Sequence, residues 1–410
     1  LNYQYGWNRT IMKYVGIWPE ERKWNRPSSY IVLLPFLSML CFVSVPQTMN
    51  LPRIAHDLDL VVENLSMTNV TVTMSLMKTV AFWMNGKMKN VINKLNTFLQ
   101  IVGKILRLHE TDFQIIFYPS FLFSLLQCIA NDWATVDSKI GRETMMDIAR
   151  MTRKIIIGCS MICQLVLAFY LILRLFFMKY DDNKMFIRGY YPYNTTVSPN
   201  YELTMIGQAI AGVYSSAIYS SVDTFIAMLV LHACGQISNL KNELREISHG
   251  KTDLQTRLKK IVQKHNYITR FVLKKKLLIK MILFAETVEK SFNMMLLVQM
   301  LGCIVQLCFQ SFQAITSVGE KNKRYVIFQI AFLCYYVICV LVQLLLYCYV
   351  GERLTFESTD ITKTAYHCEW YNLPPDIARL LIIIMCRARA SPLKLTAGKF
   401  CYFTILLYSQ

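Results

Sequence analysis

Asp223 and His232 stand nine residues apart inside one long apolar stretch, and Lys78 interrupts another. Ionisable groups in such surroundings must face protein or water, which makes a proton relay or a charge sensor conceivable for Asp223 and His232. The preferred reading is structural: a bundle-facing pair that sets helix packing. The six histidines, His56, His109, His232, His249, His265 and His367, lack metal-ligand spacing. No phosphate-cradling glycine loop, HExxH, CxxC or GxSxG occurs. The sequence therefore carries no catalytic constellation, and neither an enzyme nor a cofactor is expected. Of the thirteen cysteines, Cys159, Cys163, Cys234, Cys303, Cys308, Cys334, Cys339 and Cys348 lie in apolar runs. There they read as small hydrophobes rather than disulfide partners.

These residues have to be positioned by membrane helices. The chain is 54% hydrophobic and only 17% charged, too few polar groups to cover a water-soluble protein of 410 residues. A bilayer supplies the missing apolar solvent. The net charge of +18 sits in short stretches between apolar runs, which excludes a nucleic-acid-binding surface and fits basic cytoplasmic loops. A helix crossing the hydrocarbon core needs about 20 apolar residues. Spans are predicted at Tyr30 to Leu51, Thr68 to Trp83, Ile155 to Met178, Thr204 to Ile237, Phe292 to Ala314 and Tyr325 to Val350, with a last apolar stretch after Gly398. The run from Phe113 to Ala130, which contains Pro119, is a further candidate.

Loop charge sets the orientation. Arg9, Lys13, Arg22, Lys23 and Arg26 precede the first span, and residues 237–280 carry twelve basic against three acidic side chains. Both segments belong in the cytoplasm. Sequons at Asn64, Asn69 and Asn194 fall in or beside the segments that are then external, and are candidate glycosylation sites. The expected fold is all-α: an integral membrane protein of seven transmembrane helices, N-terminus cytoplasmic and C-terminus extracellular. A G-protein-coupled receptor fits poorly. The N-terminus is inside, the loop from Lys179 to Leu203 has no cysteine, and DRY-like and NPxxY-like motifs are missing. A transporter lacks support too, because the paired, Gly/Pro-broken helices of an inverted repeat are not seen.

The C-terminal third reads CYVGERLTFESTDITKTAYHCEWYNLPPDIARLLIIIMCRARASPLKLTAGKF, from Cys348 to Phe400. Its ordered matches, Gly351-x-x-Leu, Ser358, Ala365-Tyr, Trp370-Tyr-x-Leu-Pro and Pro392-Leu-x-Leu-Thr-Ala-Gly-Lys, resemble the signature of the insect odorant receptors. The resemblance extends through NDWATVDSKIGRETMMDIARMTRK, SSVDTFIAMLVLHACGQISNLKNEL and AETVEKSFNMMLLVQML. Two segments depart from the family pattern, near 86–125 and 267–281, and read as insertions.

That resemblance implies a ligand-gated, non-selective cation channel, a heterotetramer of a tuning subunit with the olfactory coreceptor in the plasma membrane of olfactory sensory neurons. It implies a cytoplasmic N-terminal segment (1–29), six spans with their loops (30–347), a cytoplasmic anchor region (348–395) and the start of a truncated pore helix (396–410). Its ligand is a small apolar odorant, held among the second, third, fourth and sixth spans. Residues at the implied depth are Met74, Met77, Phe169, Tyr170, Gln208, Tyr214, Phe328 and Phe332, with Tyr214 the leading candidate because a phenol both stacks and donates a hydrogen bond. Trp370, Tyr371, Pro374 and Arg379 would form the subunit anchor, and Gly398, Phe400, Phe403, Leu406 and Leu407 the pore. A metabotropic receptor, a gustatory relative and a nonfunctional gene product are the alternatives. The gustatory Thr-Tyr-x-x-x-x-Gln-Phe motif does not occur.

Overall fold

Pro46 dictates the shape of the first long helix. Its ring nitrogen has no proton, so the carbonyl of Phe42 loses its helical partner. In the structure, a computed structural model, the chain passes through a π-helical segment at Leu40–Ser44, and the freed Phe42 carbonyl accepts a hydrogen bond from the Tyr191 hydroxyl at 2.7 Å. A polar atom opened inside a membrane helix is thereby satisfied by a neighbouring loop. The structure describes residues 2–19, 27–65, 70–84, 121–136, 138–177, 185–248, 257–317, 323–367, 375–390 and 392–409.

Among these residues the helices are α1 (Asn2–Tyr14), α2 (Leu33–Ile54), α3 (Leu58–Asn64), α4 (Val70–Met84), α5 (Phe121–Thr135), α6 (Lys139–Phe177), α7 (Asn200–Ser248), α8 (Arg257–Ser317), α9 (Lys323–Tyr366), α10 (Pro375–Ala390) and α11 (Ile405–Ser409). Strand structure among the described residues is a two-residue antiparallel pair, Thr396–Ala397 with Cys401–Tyr402. Among the described residues, five helices contain a stretch long and apolar enough to cross a membrane: Leu33–Ile54, Lys139–Phe176, Asn200–Asn242, Ile282–Thr316 and Ile330–Tyr366. The second expected span falls on α4 and the last on α11. The segment around 267–281 lies within the continuous helix α8. Residues 113–120 lie outside the described residues, while 121–130 begin α5.

Helices outrun the apolar windows that announce them. The window ends where lipid ends, but backbone hydrogen bonding continues wherever polar side chains find partners. Lys241, beyond the apolar part of α7, pairs with Glu357 and Asp360 of α9 at 2.6 and 2.8 Å. Helix α7 is the central post, and every residue from Ser220 to Ile237 is buried. Helices α1, α2, α4, α6, α8 and α9 pack around it. The N-terminal helix belongs to this core: Met12 is fully buried, Asn8 accepts from Thr224 at 3.1 Å, and Gln4 accepts from the Trp133 indole at 3.1 Å.

The chain's last described segment folds back onto α8 and α9. Leu393 exchanges hydrogen bonds with Thr355 and Ser358, Thr396 donates to Glu289 at 2.5 Å, and the Gly398 amide donates to the Asn293 carbonyl at 2.9 Å. Gly398 turns the hairpin at a φ of +56°, a region costly for residues with a Cβ. Gly351 lets the segment approach α9, since a Cβ there would lie 2.4 Å from the Phe403 carbonyl oxygen. Gly351→Ala is therefore expected to lower stability by about 1–3 kcal/mol through overpacking, read as a fall in the thermal midpoint of the detergent-solubilised protein. An unchanged midpoint would mean that Phe403 does not dock there.

Candidate ligand-binding site

Stripes of residues at helical spacing meet in the bundle. Helix α7 presents Gln208, Gly212, Ser215, Tyr219 and Asp223 along one face, α6 presents Cys159, Cys163, Val166 and Tyr170, and α9 presents Tyr336, Cys339, Val340 and Gln343. With Val72 of α4, Val43 of α2, and Phe186 and Ile187 of the connection between α6 and α7, they line a partly open cavity of about 140 Å³. A void near 150 Å³ with an apolar wall holds one benzene-sized molecule. Most of this wall is apolar. Its polar side chains lie mostly on α7, with Tyr170 on α6 and Tyr336 and Gln343 on α9.

Gln208 fixes the cavity's loop end. Its side-chain amide accepts from the Ile187 amide at 3.2 Å and donates to the Ile187 carbonyl at 3.0 Å and to the Tyr191 hydroxyl at 2.8 Å. Tyr191 passes its own proton to Phe42, and Tyr170 donates to the Phe186 carbonyl at 3.0 Å. Glu63 sits 3.7 Å from Arg174 and 3.5 Å from Arg188, and the Arg53 guanidinium lies 3.5 Å above the Tyr190 ring. The loop is thus held by hydrogen bonds and charges from four helices. Burial pushes the Tyr191 hydroxyl up to about 12, offset in part by the hydrogen bond from Gln208. Its proton stays in place below pH 10, and the stability it contributes is lost only as pH rises through 10 toward 12.

Replacing Gln208 with Leu leaves the Ile187 amide and carbonyl buried without partners, at a cost of about 1–3 kcal/mol for each group. Hydrogen exchange at the Ile187 amide is expected to accelerate at least tenfold, with earlier proteolytic nicking of the loop. Unchanged exchange would show that the loop is held by other contacts.

At the opposite end the buried charges find each other. The Lys78 ammonium lies 2.6 Å from Asp223, with side-chain exposures of 0% and 4%, and 4.0 Å above the Tyr219 ring. Gln343 donates to the second Asp223 oxygen and accepts from the Tyr219 hydroxyl at 2.8 Å. Gln299 of α8 donates to that hydroxyl in turn. One network therefore joins α4, α7, α8 and α9 directly beneath the cavity. His232 belongs to a separate pair, its Nε2 lying 3.2 Å from the buried Asp132 of α5. Asp223 and His232 each have a distinct partner, so they do not pair with each other.

Of the residues expected at ligand depth, Tyr170 and Gln208 line the cavity. Phe332 stands behind the wall, its ring 5.7 Å from Tyr170 and 6.4 Å from Tyr336. Phe169 packs edge-on to Tyr335 at 5.7 Å. Tyr214 turns toward Tyr14, with ring centroids 6.2 Å apart, and is not part of the cavity's lining. Met74 is buried and Met77 half-buried on α4, both outside that lining. Phe328 lies in α9 with its side chain outside the described residues. Sequence reasoning missed Tyr219, Tyr336, Val340 and Gln343, whose three- and four-residue spacing was the available signal.

Among the other expected sites, Asn194 is exposed, its side chain accepting from Thr196, while Asn64 is 2% exposed at the end of α3. A glycan on Asn64 would require that helix end to open. Asn69, Trp370, Tyr371 and Pro374 lie outside the described residues, and Arg379 is exposed on α10. Phe400 and Leu406 are exposed, and Leu407 is half-buried. Phe403 faces the chain's own core, 5.5 Å from the Tyr347 ring.

The family model described as 7tm Odorant receptor matches residues 120–409. The chain belongs to this family. Odorant receptor 13a of Drosophila melanogaster is 28% identical over 279 residues, covering 63% of this chain and 61% of that protein. Odorant receptor 10 of Aedes albopictus is 25% identical over 231 residues, 55% of each chain. The odorant receptor coreceptor of Anopheles gambiae is 27% identical over 154 residues, 38% of this chain and 28% of that protein. The match thus spans between about a quarter and three-fifths of these relatives' lengths. The solved insect olfactory receptor OR5 from Machilis hrabei covers all of this chain and 96% of its own, with a TM-score of 0.71 at 13% identity. Its complex with eugenol gives 0.70. This member of the family therefore has the all-helical, seven-transmembrane fold of the insect olfactory receptors, in a family of receptors rather than enzymes.

Proposed function

We propose that this odorant receptor is the ligand-specific tuning subunit of an odorant-gated, non-selective cation channel, and that the cavity between α4, α6, α7 and α9 is its odorant site. The cavity carries the reading: a mainly apolar, partly open space of one-ring size, with a pinned loop at one end and a charge network at the other. Apolar burial contributes roughly 25 cal/mol per Å², so a volatile molecule needs little else to bind. OR5 of Machilis hrabei, whose fold this chain shares, has been solved with eugenol. Sequence likeness to the coreceptors supports assembly with a coreceptor into a heterotetramer. The charge bias supports an internal N-terminus and an external C-terminus, and membership of the odorant receptor family supports the plasma membrane of olfactory sensory neurons.

Of the residues expected at the pore, Phe400 and Leu406 are exposed and available to it. Arg379 is available to a subunit anchor, and Asn194 to a glycan. Excised, nucleotide-free membrane patches from cells expressing both chains test the channel reading against the metabotropic one. Odorant should open a cation conductance within milliseconds. Loss of the response on excision, with return on adding GTP, would support the metabotropic alternative.

A further inference from the structure

The cavity's hydrogen-bonding inventory is lopsided. Ser216 spends its proton on the Val213 carbonyl at 3.1 Å and Ser220 on that of Ala217 at 3.4 Å. Ser215 is paired with Ser75 at 2.9 Å, and Tyr219 donates to Gln343. Asp223, between Lys78 and Gln343, can only accept while ionised. The α7 wall therefore offers oxygen lone pairs and few free protons. Across from it stands Tyr336, 8% exposed, whose hydroxyl has no hydrogen-bond partner among the described residues although it lines the cavity. A ligand entering the cavity meets this hydroxyl as an available donor and acceptor and gains a hydrogen bond by pairing it.

We propose that the ligand is a small neutral alcohol or phenol, its oxygen accepting from Tyr336 and its proton donated to an α7 serine oxygen, Ser216 or Ser220. A hydroxyl satisfies both walls with one small group. A carbonyl satisfies Tyr336 only, and a hydrocarbon neither. Ammonium ligands are disfavoured because Asp223 already holds Lys78. The inference rests on the cavity being the odorant site.

Three probes of nearly one shape separate the possibilities: benzyl alcohol, benzaldehyde and ethylbenzene, applied to cells expressing this chain with the coreceptor and read as EC50 against surface-labelled receptor. The alcohol should be more potent than the aldehyde, and the aldehyde more potent than the hydrocarbon, by about five- to tenfold at each step. Tyr336→Phe should weaken alcohol and aldehyde alike and leave ethylbenzene unchanged. Ser216→Ala with Ser220→Ala should weaken the alcohol alone. Equal potency of the three probes, or silence to all of them at normal surface level, overturns the proposal. A cavity-filling Val340→Phe chain distinguishes the underlying failure. If it abolishes responses to odorants that activate the unmodified chain, the site reading stands and only the ligand class falls; if it leaves them intact, both fall.

Discussion

Neutralising Lys78 alone, as Lys78→Met, should prevent most of the protein from reaching the cell surface, and Asp223→Leu alone should do the same. Each leaves one charge buried without its partner, 2.6 Å from where the counter-charge stood. Breaking a buried pair by removing one member costs about 3–5 kcal/mol, whereas replacing both members with apolar residues of similar volume is often neutral or stabilising. Removing Asp223 also frees the Gln343 amide, and through Gln343 the Tyr219 hydroxyl and Gln299. The double variant Lys78→Met/Asp223→Leu should therefore recover much of the surface level lost in either single variant. Surface biotinylation and the thermal midpoint in detergent measure both effects. Singles that behave like the unmodified chain, or a double worse than the sum of the two, would show that the pair does not carry the packing of α4 on α7.

Filling the cavity should remove the odorant response without unfolding the protein. Val340 is 8% exposed and lines the void, so a phenyl ring at that position projects into space otherwise available to ligand. With a volume of only about 140 Å³, the loss leaves no room for a one-ring molecule. EC50 for an activating odorant should rise at least a hundredfold, since several kcal/mol of apolar burial is forfeited. Surface labelling should fall little, because a void accommodates the added ring more readily than a packed core does. An unchanged EC50 would place the odorant elsewhere.

Much of the fold was legible because its signals are long-range averages. Apolar windows mark α2, α6, α7, α8 and α9, since lipid must meet an apolar surface over a whole span. Lys78 cost the second span its clarity, and the same residue turned out to be the partner of Asp223. Neither charge announces the other, because 145 residues separate them and only the fold brings α4 beside α7. Asp223 and His232 each sit in a separate buried pair, with Lys78 and Asp132 respectively. Their partners were not legible.

The site shows the same limit at finer scale. Depth can be counted along a helix, but azimuth cannot, because one residue is a turn of about 100°. Tyr214 and Ser215 lie at nearly the same depth, yet Ser215 faces the cavity and Tyr214 faces Tyr14 of the N-terminal segment. Gln208 was picked for depth, and it lies on the cavity side with both its amide atoms committed to Ile187. The terminal segment carried a comparable ambiguity. Phe400, Phe403 and Leu406 are similarly apolar, but the close approach that Gly351 permits draws Phe403 inward and leaves the other two exposed.

The most direct test is a structure of this chain assembled with the coreceptor and solved with an activating odorant by electron cryomicroscopy. Ligand density is expected between Tyr170, Tyr336, Val340 and the α7 face from Gly212 to Asp223, with the Met185–Tyr191 loop closed over it. Density at a subunit interface or on the lipid-facing surface, with this cavity empty, would contradict the account.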